Sequence, residues 1–120
     1  MRVLAADNSP TAGYVLNACL KSLDHYVTQV QVGEEVIKNL RSVPYDLVIC
    51  DATMGDMDGI EIVKSIRADA AIAHIPFIIM MPNPDERAVA AAKEAGATGC
   101  LAKPFDTNML EEAIKAAMPR

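Results

Sequence analysis

Apolar residues fall along the chain in two alternating rhythms. Residues 3–6, 47–50, 77–81 and 99–102 form short, nearly continuous apolar runs, and residues 26–30 alternate polar with apolar. Runs of four or five residues bounded by turn residues read as strands. Those apolar on both sides suit the centre of a parallel sheet, and the alternating one suits an edge. Between them apolar residues recur at spacings of three and four, the rhythm of a helix with one buried face. Ser9-Pro10 places an N-cap residue before a first-turn proline, ahead of Val15, Leu16, Cys19, Leu20 and Leu23. Gly33-Glu34-Glu35 opens a second helix with Val36, Ile37 and Leu40 inward, and Asp58-Gly59 a third with Ile60, Ile62, Val63 and Ile66. Asn83-Pro84-Asp85-Glu86 reads as a capping box opening a fourth helix, which stops near Gly96. Asp106 caps a fifth, carrying Met109, Leu110, Ile114 and Met118. Strict alternation of strand and helix predicts an α/β fold, a parallel sheet with helices on both faces.

Composition narrows the class. The 120 residues suit one domain spanning 1–120, and an apolar fraction of 52% supplies a core without disulfides or disorder. The net charge of −5 carries no basic stripe, which argues against a nucleic-acid surface. No run approaches a membrane span, and the apolar stretch after Met1 is too short for a signal peptide, so a cytoplasmic protein is expected. Cys19, Cys50 and Cys100 lie in apolar runs and read as buried free thiols.

In open α/β sheets, sites form beyond the carboxyl ends of the strands. Asp7 and Asn8 follow the first strand, Asp51 the third, Met81 and Pro82 the fourth, and Lys103-Pro104 the fifth. Taken singly, an aspartate after a strand is usually a cap, and a lone lysine is usually solvated. Their convergence would gather hard oxygen ligands suited to Mg2+ and an ammonium suited to a phosphoryl group. Neither His25 nor His74 falls at that edge, and no phosphate-cradling glycine loop follows the first strand, so a small-substrate enzyme has little support.

These segments resemble the response-regulator receiver family: the opening through Asp7-Asn8-Ser9-Pro10, Tyr45 through Asp51, Met54-Gly55-Asp56-Met57-Asp58-Gly59, Ala95-Gly96-Ala97, and Lys103-Pro104-Phe105. The resemblance implies a flavodoxin-like, doubly wound five-stranded sheet of order 2-1-3-4-5. It implies a phosphoacceptor at Asp51, charged by a histidine kinase or histidine phosphotransfer protein, with a downstream protein target. Mg2+ would be held by Asp7, Asn8, Asp51 and the Thr53 backbone carbonyl. Lys103 would contact the phosphoryl group, and a cis bond would follow it. The chain would then be no enzyme beyond self-phosphorylation from a phosphodonor and autodephosphorylation. It would be a monomer or weak dimer, with no membrane or nucleic-acid partner and no output domain within these residues.

Four positions depart from the family pattern. Asn8 stands where a carboxylate is usual, which weakens Mg2+ binding. Pairing Ala6 with Asp7 instead requires a one-residue slip in the first helix, and in either register one acid is missing. Met81 replaces a hydroxyl residue and Cys100 an aromatic one, so the usual switch is absent; core filling is the simpler reading of both. Gly55 replaces a proline, which loosens its loop. Pro82-Asn83-Pro84 stiffens the loop after the fourth strand, predicting a small conformational response. Ala12, Gly13 and Tyr14 are placed on the outward side of the first helix. Gly13, at a cost of ~1 kcal/mol against Ala, reflects either close approach of a partner helix or tolerance near a helix start. The alternative to a phosphoacceptor is a degenerate receiver, a phosphorylation-independent protein-interaction module.

Overall fold

Ten elements alternate without exception in the computed structural model, which describes residues 1–119. The strands are β1 (Arg2–Ala6), β2 (Tyr26–Val30), β3 (Leu47–Asp51), β4 (Phe77–Met81) and β5 (Gly99–Ala102). The helices are α1 (Pro10–Ser22), α2 (Gly33–Ser42), α3 (Gly59–Arg67), α4 (Glu86–Ala95) and α5 (Thr107–Ala117). All neighbouring strands pair in parallel, in the order β2-β1-β3-β4-β5. This is the doubly wound architecture the alternation predicts.

The alternation of side chains along β3 shows why the fold has three layers. Leu47 and Ile49 pack with Val3, Ile78, Met80, Leu16, Leu20, Leu110 and Ile114 under α1 and α5. Val48 and Cys50 face the other way, onto Leu4, Phe77, Ile79, Val36, Ile62, Ile66 and Ala92 under α2, α3 and α4. A strand buried on both faces must be apolar at every position, and that is what makes β3 and β4 legible. β2 has one free edge, and only Val30 of its five residues is buried.

Local signals account for most helix ends. Ser9 accepts from the Ala12 N–H, and Asp106 from the Met109 N–H. Gly96, at φ +117°, ends α4 in the left-handed region. Four readings need correction. The cap of α4 is Asp85, which accepts from the Ala88 N–H; Asn83 and Pro84 lie before the helix, whose first residue is Glu86. Val15 and Met109 are exposed, since Leu16 and Leu110 take the inward positions next to them. Gly13 faces inward against β2. A Cβ there would stand 2.9 Å from Gln29 Nε2, which donates to the Gly13 carbonyl. Its smallness thus serves an intramolecular contact. Of the cysteines only Cys50 is fully buried; Cys19 and Cys100 are half-buried.

Candidate functional site

The strand order reverses between β1 and β3, so the crevice opens beyond Ala6 and Asp51. Backbone ties fix the surrounding strand ends. The Asp7 N–H donates to the Val30 carbonyl, Ala52 N–H to Met80, and Lys103 N–H to Met81. From these ends the side chains of Asp7, Asp51 and Lys103 meet. Lys103 Nζ donates to Asp7 Oδ2 at 3.0 Å and to Asp51 Oδ2 at 3.4 Å. The other Asp7 oxygen accepts from the Ser9 N–H at 2.9 Å, so α1's entry also holds this carboxylate. Asp7 is the most enclosed of the three, with a side chain 2% exposed against 15% for Asp51 and 23% for Lys103.

Two carboxylates and one ammonium carry a net negative charge, and the energetics follow. Burial, and then the neighbouring charge of Asp7, raises the Asp51 carboxyl above its ordinary range; Lys103 offsets part of this. Burial pulls the Lys103 ammonium down, but its hydrogen bond to Asp7 and the charges of Asp7 and Asp51 outweigh burial and leave it raised. Lys103 therefore stays charged at neutral pH, and Asp51 is a more basic carboxylate than an exposed one. The Lys103–Pro104 peptide is cis.

The remaining expected residues lie at or beside the carboxyl ends of the strands, and not all of them face the triad. Asn8 is exposed, and its amide lies over Gly55, 3.5 Å from the point a Cβ there would occupy. Thr53 opposes Asp58 in an isolated antiparallel bridge, and among the described residues no backbone N–H donates to its carbonyl oxygen. Ala6 is fully buried in the apolar core, so it offers nothing to the site. Gly55 adopts φ +89°, which a proline, fixed near −65°, cannot reach. The loop here has its own turn geometry in place of a loosened version of the proline one. Met81 is buried, and half-buried Cys100 packs against the same cluster, so both fill core. His25 and His74 lie elsewhere: His25 Nδ1 is 3.2 Å from the Met1 nitrogen, and His74 lines a cavity with Tyr45, Ile72 and Pro76 at the strands' amino ends.

Two residues escaped the sequence reading. Asp56 accepts from the Gly33 and Glu34 N–H groups at the start of α2. Its only advance signal was that α2 begins after Val32, which has no acceptor. Arg67 donates to the carbonyls of Gly96, Ala73 and Ile75, and nothing in the pattern distinguished it from a solvated last-turn cation.

A five-stranded doubly wound sheet with an acidic cleft at its switch point defines the class. The model of the response regulator receiver domain matches residues 3–115, and the chain belongs to that family. It is similar to the chemotaxis response regulator CheY4 of Vibrio cholerae, with TM-score 0.91, 26% identity and 98% of each chain covered. It is also similar to the receiver domain of a sensor histidine kinase from Pseudomonas aeruginosa, solved with magnesium in its active-site cleft, at TM-score 0.88, 26% identity and coverages of 97% and 95%. Among curated relatives, a gliding motility regulatory protein of Myxococcus xanthus is 33% identical over 105 residues, and the transcriptional regulatory protein ZraR of Salmonella typhimurium is 31% identical over 116. The match covers 13% of the first relative's length and 26% of the second's. Residues 3–115 thus form a two-component receiver domain, a signalling module. No helix among the described residues is long and apolar enough to cross a membrane.

Proposed function

We propose that the chain accepts a phosphoryl group on Asp51 from a histidine kinase or histidine phosphotransfer protein and signals to a downstream protein by contact. The observation that carries this is one lysine nitrogen reaching two carboxylates from separate strand ends. The donor set fits Mg2+: Asp7 and Asp51 offer carboxylate oxygens, Thr53 a backbone carbonyl, and Asn8 an amide oxygen at the rim. When bound, Mg2+ would neutralise charge between the Asp51 carboxylate and the incoming phosphoryl oxygens.

The protein's own residues supply the rest. An Asp51 oxygen attacks phosphorus, the donor's P–N bond breaks, and the electron pair leaves with the imidazole. Lys103 turns its ammonium from Asp51 to the new phosphoryl oxygens. Asp7 stays in place, held by Ser9. Water attack on phosphorus later returns Asp51 to a free carboxylate. With Asn8 in place of a second acid, the site holds Mg2+ more weakly than a site with three carboxylates.

The phosphorylation-independent module is the weaker reading. Asn8, Met81 and Cys100 suggest it, but a partly buried triad of charges, with Asp7 fully enclosed, is costly to maintain without a use for it. Incubation with Mg2+ and acetyl phosphate, followed by intact mass, tests the proposal. A phosphoryl adduct absent in Asp51→Asn supports it. No adduct from acetyl phosphate, phosphoramidate or a phosphorylated phosphotransfer protein would favour the interaction module.

A further inference from the structure

α2 begins after a residue that has no side-chain acceptor to cap it. α1, α4 and α5 begin after Ser9, Asp85 and Asp106, each of which accepts a first-turn N–H. α2 begins after Val32, which offers no side-chain acceptor. The missing acceptor arrives from another part of the chain. Asp56 Oδ1 accepts from the Gly33 N–H at 2.7 Å and Oδ2 from the Glu34 N–H at 3.1 Å. The two segments are pressed together, since a Cβ on Gly33 would stand 3.0 Å from Met57 Cβ and 3.3 Å from Asp56 Oδ1.

Asp56 stands at the tip of the loop between β3 and α3. The base of that loop is tied by the Gly59 N–H to the Ala52 carbonyl, and its neck by the Met54 N–H to the Met57 carbonyl. Met54 anchors it in the core. The tip itself has a glycine at φ +89° and no proline, so its stiffness must come from elsewhere. Asp56 supplies a two-oxygen tie to a helix packed on the sheet.

We infer that Asp56 is a positioning residue for the site: it fixes the loop that presents the Thr53 carbonyl and so sets how firmly Mg2+ is held, without touching the cation. The inference rests on the Mg2+ reading proposed above. Partners that orient a ligand from outside its coordination shell commonly change metal affinity by about tenfold or more.

Magnesium chloride is titrated into the full chain and into three variants, read by the amide shifts of residues 7, 51 and 53, with urea denaturation in parallel. Asp56→Ala should bind about tenfold more weakly. Asp56→Asn, which keeps a carbonyl oxygen for the Gly33 N–H, should retain most of the affinity. Val32→Ser added to Asp56→Ala gives α2 its own cap, and should restore stability but leave affinity low. Unchanged affinity in Asp56→Ala, beside a wild type that binds, overturns the inference and leaves the metal reading standing. So does Asp56→Asn falling as far as Asp56→Ala, which would mark a bare charge effect, or Val32→Ser restoring affinity along with stability. A wild type whose shifts do not move with Mg2+ overturns the metal reading itself.

Discussion

Gly59 is the point where packing and chemistry meet most closely, and Gly59→Ala tests whether the end of β3 is as constrained as its contacts require. A methyl at Gly59 would lie 2.9 Å from the Asp51 carbonyl oxygen and 3.2 Å from the Ala52 Cα. Both neighbours are backbone, and Ala52 is pinned by hydrogen bonds from Gly59 and to Met80, so neither can yield by a rotamer change. Overpacking of this kind costs about 1–3 kcal/mol. Alanine returns about 0.4–1 kcal/mol through the unfolded chain's lost freedom. The net expectation is a loss of about 1–2 kcal/mol, a fall in Tm of about 4–8 °C at roughly 4 °C per kcal/mol. Gly99→Ala is the internal control: its methyl would meet Ala117 Cβ at 3.5 Å and Ile78 Cγ1 at 3.7 Å, ordinary contacts, so stability should change little or rise. Urea denaturation of both variants gives the two values. Phosphorylation by acetyl phosphate should slow in Gly59→Ala alone, because relief of the clash moves the strand end that bears Asp51. Equal stability in the two variants would refute the argument that the Asp51 backbone cannot move aside.

Four other outcomes are expected. Asn8→Asp should tighten Mg2+ several-fold in a magnesium titration; unchanged affinity would show that position 8 is no ligand. Arg67→Met removes donors to three carbonyls at 2.9, 2.9 and 2.7 Å and should cost about 2 kcal/mol in urea denaturation; a change under ~0.5 kcal/mol would mean water replaces them fully. The hydrogen bonds from Gly33 and Glu34 hold the Asp56 carboxyl below its ordinary range, so its contribution is complete above the unfolded carboxyl value and is lost as pH falls through the folded one. The stability advantage of wild type over Asp56→Ala should therefore be constant near neutrality and shrink below about pH 4; a constant gap across that range would refute the link. A phosphoryl mimic such as beryllofluoride should shift amides around Asp51 and leave those of Asn83 and Asp85 nearly in place, as Pro82 and Pro84 restrict that turn; large amide shifts throughout residues 81–96 would contradict this.

Legibility in the sequence followed burial. β3 and β4, apolar at nearly every position, and the helix starts at Ser9 and Asp106 could be placed because each rests on a local rule: two-sided burial for the strands, a side-chain acceptor for the caps. The triad of Asp7, Asp51 and Lys103 was legible because strand ends in a parallel sheet all point to one edge. Val15, Met109 and Gly13 were misjudged for one reason. A helical stripe one residue wider than the contact leaves its border undecided until the neighbouring element is in place.

The sequence alone determined the alternation of strands and helices, the two-faced burial of the central strands and the edge at which the chemistry collects, because each depends on residues close together in the chain. Tertiary structure alone decided that Asp56 caps a helix starting 23 positions earlier, that Arg67 holds the end of α4, and that Gly13 makes room for Gln29. Those contacts join segments whose distance in sequence carries no local signal. They exist because packing three layers brings particular backbone donors and acceptors face to face, and a buried polar group must find a partner wherever the fold provides one.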